Sequence, residues 1–160
     1  MNHKAFVLTG RGSVGKSTTI HRAYELLTAQ PQVEVVFFEK IGYLLDFIAV
    51  ILIRGKKVGL VNRGDLPREL QKYLKRLQAE GCLAIVCATR TRGGTFDAAK
   101  ELDPPYEVEF VEKSGVAKDL QTKSNLATAK KLVSLVQSAT DARWASCSHS
   151  KQALAPVVAS

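Results

Sequence analysis

The sequence predicts an α/β fold, a three-layer sandwich with a mostly parallel sheet and one added antiparallel strand. Apolar strand-like runs alternate along the chain with segments whose apolar residues recur at helical spacing, which is typical of a parallel sheet covered by helices. With 160 residues, 46% of them hydrophobic, the chain has the size of one domain. We therefore expect a single domain over residues 1–140, followed by a disordered tail over residues 141–160.

The chain opens with a strand, a glycine-rich loop and a helix. Residues 5–8 form an apolar run typical of a buried strand, and residues 16–29 place their apolar side chains on one helical face. Pro31 ends that helix, because proline cannot continue the helical hydrogen bonds. Residues 33–38 are rich in β-branched and aromatic side chains and therefore predict a second strand.

A hairpin and a second helix follow. Residues 47–53 and 57–61 are apolar runs joined by a short turn at residues 54–56, a pattern that favours two antiparallel strands. Residues 66–79 carry leucines and one tyrosine at helical spacing, and Gly81 supplies the helix end. We expect this helix to cover the sheet.

Two more strands and two more helices complete the predicted order. Residues 83–88 form a continuous apolar strand, residues 96–102 a short helix and residues 106–111 the last strand. Ser124 is expected to cap a final amphipathic helix, since serine is a favoured N-cap residue. Residues 141–160 show no sustained periodicity, which is the basis for the predicted tail.

A glycine-rich segment fills the junction between the first strand and the first helix. Its letters GRGSVGKS, residues 10–17, fit G-x-x-x-x-G-K-[ST] at every fixed position. In such a loop the backbone N–H groups surround a phosphate, and the helix N-terminus adds a positive dipole. Lys16 would reach the outer phosphates, and Ser17 would ligate Mg²⁺. The alternative is a glycine-rich turn before an ordinary helix, which the flanking strand and helix disfavour.

The chain resembles the P-loop nucleoside triphosphatases, in strand and helix order over about residues 5–115 and in the specific motif of the loop. The letters RGSVGKSTT are also similar to the deviant loop of the ParA and MinD ATPases, with Arg11 in place of their signature lysine. The stretches GDLPREL and ATRTRGGT are similar to the carboxylate and lid elements of small P-loop kinases. The resemblance implies a P-loop nucleotide-binding domain with Mg²⁺ and ATP, GTP not being excluded. The nucleotide-binding residues that it implies are Gly10, Arg11, Gly12, Ser13, Val14, Gly15, Lys16, Ser17 and Thr18.

Two acidic residues are candidates for magnesium binding or for general-base catalysis. Asp65, which follows the hairpin, is the first candidate for Mg²⁺, but its place before a helix with Pro67 near the start equally favours an N-cap. Glu39, at the end of the second strand, is the other candidate, as a metal ligand or as a base. For Glu39 the alternative is an exposed ion pair with Lys40 or another lysine. Asp46 ranks third.

Two arginines alternate in the loop after the fourth predicted parallel strand. Arg90 and Arg92 precede paired glycines, which would let the loop approach a ligand. Arginine at such a place could neutralise the charge that develops in phosphoryl transfer. The alternative is a basic surface turn. Together with Lys16, Asp65 and Glu39, these arginines complete the set of candidate catalytic residues.

The expected function is hydrolysis of a Mg-nucleotide at the bond between its β- and γ-phosphates. One alternative is a small kinase that transfers the γ-phosphate to a nucleotide or metabolite, whose partner would include a phosphorylated small-molecule acceptor. The other is a nucleotide-dependent binding module with negligible turnover. The three hypotheses predict different results for ADP release. Hydrolysis releases ADP without an acceptor, a kinase releases it only with an acceptor, and a binding module does not release it.

Composition limits the location and the partners. Lys and Arg outnumber Asp and Glu by 23 to 15, giving a formal charge of +8 that allows nucleic acid as a partner, although no basic block or RNA-binding motif supports it. The spacing of the three cysteines matches no zinc-binding pattern. No apolar stretch of the sequence is long enough to span a bilayer. We expect a cytoplasmic protein that makes no membrane contact. The oligomeric state is left open.

Overall fold

One mixed sheet organises the computed structural model, which describes residues 3–11, 14–42, 45–62 and 66–149, with side chains described as far as residue 141. Within these ranges the strands are β1 (His3–Thr9), β2 (Val33–Lys40), β3 (Phe47–Ile53), β4 (Lys56–Asn62), β5 (Ala84–Thr89) and β6 (Tyr106–Glu112). Their order across the sheet is β2-β3-β4-β5-β1-β6. The pairs β4–β5, β5–β1 and β1–β6 are parallel, whereas β3 is antiparallel to both of its neighbours. The predicted mostly parallel sheet with an antiparallel strand is confirmed.

Helices cover both faces of the sheet. In the described ranges they are α1 (Lys16–Thr28), α2 (Pro67–Ala79), α3 (Gly94–Lys100) and α4 (Gln121–His149), with a short 3-10 turn at Lys118–Leu120. One apolar cluster joins the sheet to α1 and α4, and the other joins it to α2 and α3. Phe6 and Leu8 of β1 enter the first cluster and Ala5 and Val7 the second, because side chains alternate along a strand. This arrangement is compatible with a three-layer sandwich.

The predicted elements before the last helix are all present, with ends displaced by two residues at most. The loops between β1 and α1 and between β5 and α3 lie at the carboxyl ends of parallel strands, where open α/β sheets bind ligands.

None of the helices in the described ranges has both the length and the apolar composition that a membrane span requires.

Helix α4 departs from its prediction at both ends. It begins at Gln121, so Ser124 lies inside the helix and does not cap it, and the Ser124 hydroxyl instead accepts a hydrogen bond from Lys113 Nζ at 2.9 Å. The predicted cap is therefore wrong, because the 3-10 turn before Gln121 already supplies a helical start. At the other end α4 continues to His149, which puts the expected boundary at residue 140 within the helix. Residues 150–160 of the predicted tail lie outside the described residues.

Candidate functional site

The glycine-rich loop leaves the sheet between the ends of three parallel strands. The Gly10 N–H donates to the Thr89 carbonyl oxygen of β5 at 3.3 Å, and the Lys113 N–H donates to the Thr9 carbonyl oxygen of β1 at 2.7 Å. Because β1 lies between β5 and β6, these bonds hold the start of the loop between the carboxyl ends of the two parallel neighbours of β1. The loop therefore occupies the position where parallel sheets bind ligands.

The ammonium group of Lys16 folds back over the loop. Lys16 is the first residue of α1, and its Nζ donates to the carbonyl oxygen of Gly10 and, at 3.1 Å, to that of Arg11. Gly15, the N-cap residue, has a φ of +91°, a left-handed conformation that glycine adopts without a steric penalty. The turn at Gly15 thus brings a positive charge to the loop carbonyls.

The first turn of α1 presents hydroxyl groups at the loop. Ser17 and Thr18 are exposed, whereas the buried Thr19 donates from its hydroxyl to the Gly15 carbonyl oxygen at 2.7 Å. Ser17, the predicted magnesium ligand, is thus an exposed residue at the start of α1. Gly12 and Ser13 lie outside the described residues, so their part in phosphate binding stays a prediction.

Helix α4 packs directly against the loop through Asn125, a residue that no sequence pattern indicated. A Cβ atom added to Gly15 would lie 2.4 Å from Asn125 Oδ1, and one added to Gly10 would lie 2.7 Å from the Lys113 carbonyl oxygen. Asn125 is 7% exposed, and among the described residues its Oδ1 has no hydrogen-bond partner. An unpaired acceptor in such a place is uncommon in folded proteins. Close approach therefore requires glycine at both positions, and at Gly15 the left-handed backbone requires it as well.

A cavity of about 460 Å³ opens beside the loop. One side comes from the loop itself, another from the connection between β5 and α3, and the third from the segment that follows β6. Its volume falls in the range of sites that enclose small organic ligands. The described residues that line it are Gly10, Arg11, Val14, Thr91, Glu112, Lys113, Ser114 and Gly115.

Lys113 connects the end of β6 to α4 beneath this cavity. The residue is 3% exposed, and its Nζ donates to Ser124 Oγ at 2.9 Å. Burial lowers the pKa of the Lys113 ammonium, because removal from water disfavours the charged form. The hydrogen bond directs this ammonium towards α4, so its first role is to join the two elements that support the loop.

The end of β4 contacts the first turn of α1 through Asn62. Asn62 is 1% exposed, and its Nδ2 donates to the carbonyl oxygens of Ser17 at 3.1 Å and of Leu45 at 2.8 Å. The segment after β4 therefore starts next to the proposed magnesium ligand. Asp65 belongs to that segment but lies outside the described residues, so its assignment to Mg²⁺ stays a prediction. The alternative that Asp65 is the N-cap of α2 is wrong, because the N-cap residue of this helix is Leu66. A polar residue closing an apolar strand was the signal that could have identified Asn62.

The structure does not bring Glu39 to the loop. Its strand β2 is the edge strand four positions away from β1, which at the usual spacing of strands corresponds to roughly 19 Å. Glu39 Oε1 accepts a hydrogen bond from Arg76 Nη1 at 2.6 Å, and the Arg76 guanidinium lies 4.8 Å from the centre of the Phe37 ring. The carboxylate is thus part of an exposed ion pair, with an arginine of α2 and not with Lys40.

The two candidate arginines flank a residue that lines the cavity. Arg90 and Arg92 are both exposed, and Thr91 between them forms part of the cavity wall. The Arg90 N–H donates to Thr95 Oγ1 at 3.1 Å, and Gly93 has a φ of +94° just before α3. Within this connection Thr91 lines the cavity, whereas Arg90 and Arg92 are its neighbours in the sequence and are not among the described residues of the cavity wall.

Metal binding at the loop would depend on few protein ligands. Within the described parts of the chain, no group of three or more His, Cys, Asp or Glu side chains could hold a metal ion. Magnesium bound with a nucleotide takes most of its ligands from phosphate and water, so one hydroxyl such as that of Ser17 fits its usual chemistry.

Comparisons with protein-family models, with curated proteins and with solved structures each gave no match. The geometry of the loop and of the cavity is therefore the basis on which a function can be assigned.

Proposed function

We propose that the chain binds a Mg-nucleoside triphosphate at loop 10–17 and hydrolyses the bond between its β- and γ-phosphates. The observation that carries this proposal is the Lys16 ammonium held over the loop by the carbonyl oxygens of Gly10 and Arg11, both of which line the 460 Å³ cavity. A fixed cation and the N-terminus of α1 at one place attract phosphate oxygens. The accessible Ser17 hydroxyl would take part in holding Mg²⁺, together with Asp65.

The length of the connection between β5 and α3 favours water over a bound acceptor. β5 ends at Thr89 and α3 begins at Gly94, so only residues 90–93 lie between them. A segment this short cannot close over a second substrate as a lid would. Water could therefore reach the γ-phosphate, which favours hydrolysis as the reaction.

The arginines on either side of Thr91 favour a kinase as the second candidate. A guanidinium binds phosphate with two parallel N–H groups, so Arg90 and Arg92 could hold a phosphorylated small-molecule acceptor as well as the transferred group. Both arginines are exposed and adjacent in sequence to Thr91, which lines the cavity, so either role would require their side chains to turn towards it.

Calorimetric titration of the full chain tests the proposed function. MgATP, MgGTP and inorganic tripolyphosphate are titrated, and phosphate release is then measured with and without candidate acceptors. We expect binding of all three that weakens without Mg²⁺, and slow phosphate release without an acceptor. ADP or GDP release that requires an acceptor would establish the kinase, and binding without turnover would establish a binding module. No binding of any of the three would refute the proposal.

Replacing Arg90 and Arg92 by lysine separates hydrolysis from transfer. If the guanidinium groups stabilise the transition state, Arg90→Lys and Arg92→Lys should each lower kcat by about tenfold or more with nearly unchanged nucleotide affinity, because a lysine cannot restore the planar geometry. If the arginines hold an acceptor, the Michaelis constant for that acceptor should rise instead. Steady-state kinetics distinguish the two patterns.

Arg22→Lys is the matched control for these variants. Arg22 is an exposed arginine of α1 whose guanidinium pairs with Glu25 at 3.3 Å, so the same change there should alter neither constant. Full activity in the double variant Arg90→Ala/Arg92→Ala would show that the connection is an ordinary basic turn.

A further inference from the structure

An acidic residue at the end of β6 is among the residues that line the cavity beside the loop. Glu112 is the last residue of β6, and among the described residues lining the 460 Å³ cavity it is the only acid. Its neighbours on this wall are Lys113, Ser114 and Gly115. The Lys113 ammonium donates a hydrogen bond to Ser124 Oγ of α4 at 2.9 Å.

The charge of Glu112 determines which part of a nucleotide can face it. Lys16 and the N-terminus of α1 attract the phosphates to the loop. A carboxylate repels phosphate oxygens, and at an exposed residue such as Glu112 water and salt screen this repulsion in part. A nucleotide whose phosphates lie on the loop would therefore turn its uncharged nucleoside towards Glu112.

The hydrogen-bonding capacity of a carboxylate restricts the nucleoside further. An ionised carboxylate only accepts hydrogen bonds, so its partner must be a donor. Guanine presents two adjacent donors, the N1–H and the exocyclic amine, which match the two oxygens of a carboxylate. Adenine presents at the same edge an amine beside an unprotonated ring nitrogen, whose lone pair would face the negative charge.

We propose that the cavity holds the nucleoside of the bound triphosphate and that Glu112 selects guanine over adenine. The assignment rests on the proposed function, since it presumes that the phosphates lie on loop 10–17. It names GTP as the substrate and makes Glu112 a residue that determines base specificity.

Titrations with four ligands test the assignment: MgGTP, MgITP, MgATP and inorganic tripolyphosphate. The parent chain should bind GTP about tenfold or more tightly than ATP, because hydrogen bonds to a charged group contribute strongly. ITP, which has the N1–H but lacks the exocyclic amine, should fall between them. In Glu112→Ala the ratio of GTP to ATP affinity should fall to about one, and in the isosteric Glu112→Gln it should be reduced. Tripolyphosphate, which has no base, reports whether the loop of each variant still binds phosphate.

Glu109→Ala is the matched control. Glu109 is an exposed carboxylate of the same strand that does not line the cavity, so its removal changes the net charge equally. This variant should keep the preference of the parent for GTP. A loss of preference in both variants would mean a general effect of charge and would overturn the role of Glu112.

The remaining outcomes separate this assignment from the proposed function. Equal affinities of the parent for GTP and ATP, as expected if Glu112 bound the ribose hydroxyls common to both, would overturn the selection of guanine and leave nucleotide binding intact. A preference for GTP that persists in Glu112→Ala would do the same. If the parent binds neither nucleotide nor tripolyphosphate, the proposed function itself fails, and this assignment fails with it.

Discussion

Lys16→Ala is expected to leave the fold intact and to weaken the binding of a nucleoside triphosphate by about 10- to 100-fold. The side chain is part of neither apolar cluster, so the core should not change. Its Nζ donates to the carbonyl oxygens of Gly10 and Arg11, and in the proposed function it would contact the outer phosphates. Hydrogen bonds between a charged donor and phosphate are among the strongest in proteins, which sets the size of the effect.

Thermal unfolding with and without Mg-nucleotide measures the effect. A ligand that binds only the folded state raises the melting temperature of the parent, and the increase falls as the dissociation constant rises. Lys130→Ala is the control, because Lys130 is an exposed lysine on α4 and its loss changes the net charge equally. Lys16→Ala should unfold like the parent without ligand and lose most of the ligand-induced increase. Nucleotide stabilisation as large as that of the parent in a folded Lys16→Ala chain would contradict the assignment of the loop.

Gly15→Ala should cost stability as well as nucleotide binding. The Gly15 φ of +91° is unfavourable for any residue with a Cβ, and the new methyl group would lie 2.4 Å from Asn125 Oδ1. We expect a loss of about 2 to 5 kcal/mol in the free energy of unfolding, the sum of left-handed strain and overpacking. Because the clash would push the loop away from α4, triphosphate binding should weaken together with stability. Denaturant unfolding and calorimetric titration measure the two quantities.

Three further variants separate the two causes of this loss. Gly55 and Gly81 have φ values of +78° and +82°, and a Cβ added at either would meet no described atom within 4 Å. Gly55→Ala and Gly81→Ala should therefore show the backbone strain alone, about 1 to 2 kcal/mol, with unchanged binding. In Gly15→Ala/Asn125→Ala the clash is removed, so part of the lost stability should return. If Gly15→Ala costs no more than the two controls, the contact between Asn125 and the loop is not tight.

The local elements followed from the sequence because their signals lie in adjacent residues. The spacing of apolar residues predicted β1, α1 and the hairpin of β3 and β4 to within two residues. The motif of loop 10–17 predicted a phosphate site because its glycines, its lysine and the helix start are consecutive. The start of α4 could not be found in this way, since the 3-10 turn before it has no such periodicity.

The sequence by itself determined which segments become strands and helices and that the sheet is mostly parallel, and it predicted a phosphate loop at residues 10–17. Only the tertiary structure decided the lateral order of the strands, which puts β5 next to β1 and moves β2, with Glu39, to the far edge. It also decided that Asn125 of α4 packs against Gly15 and that Glu112 lines the cavity beside the loop. These contacts join residues far apart in the chain, and they depend on which strand edges pair and which helix faces pack, choices that local periodicity does not encode.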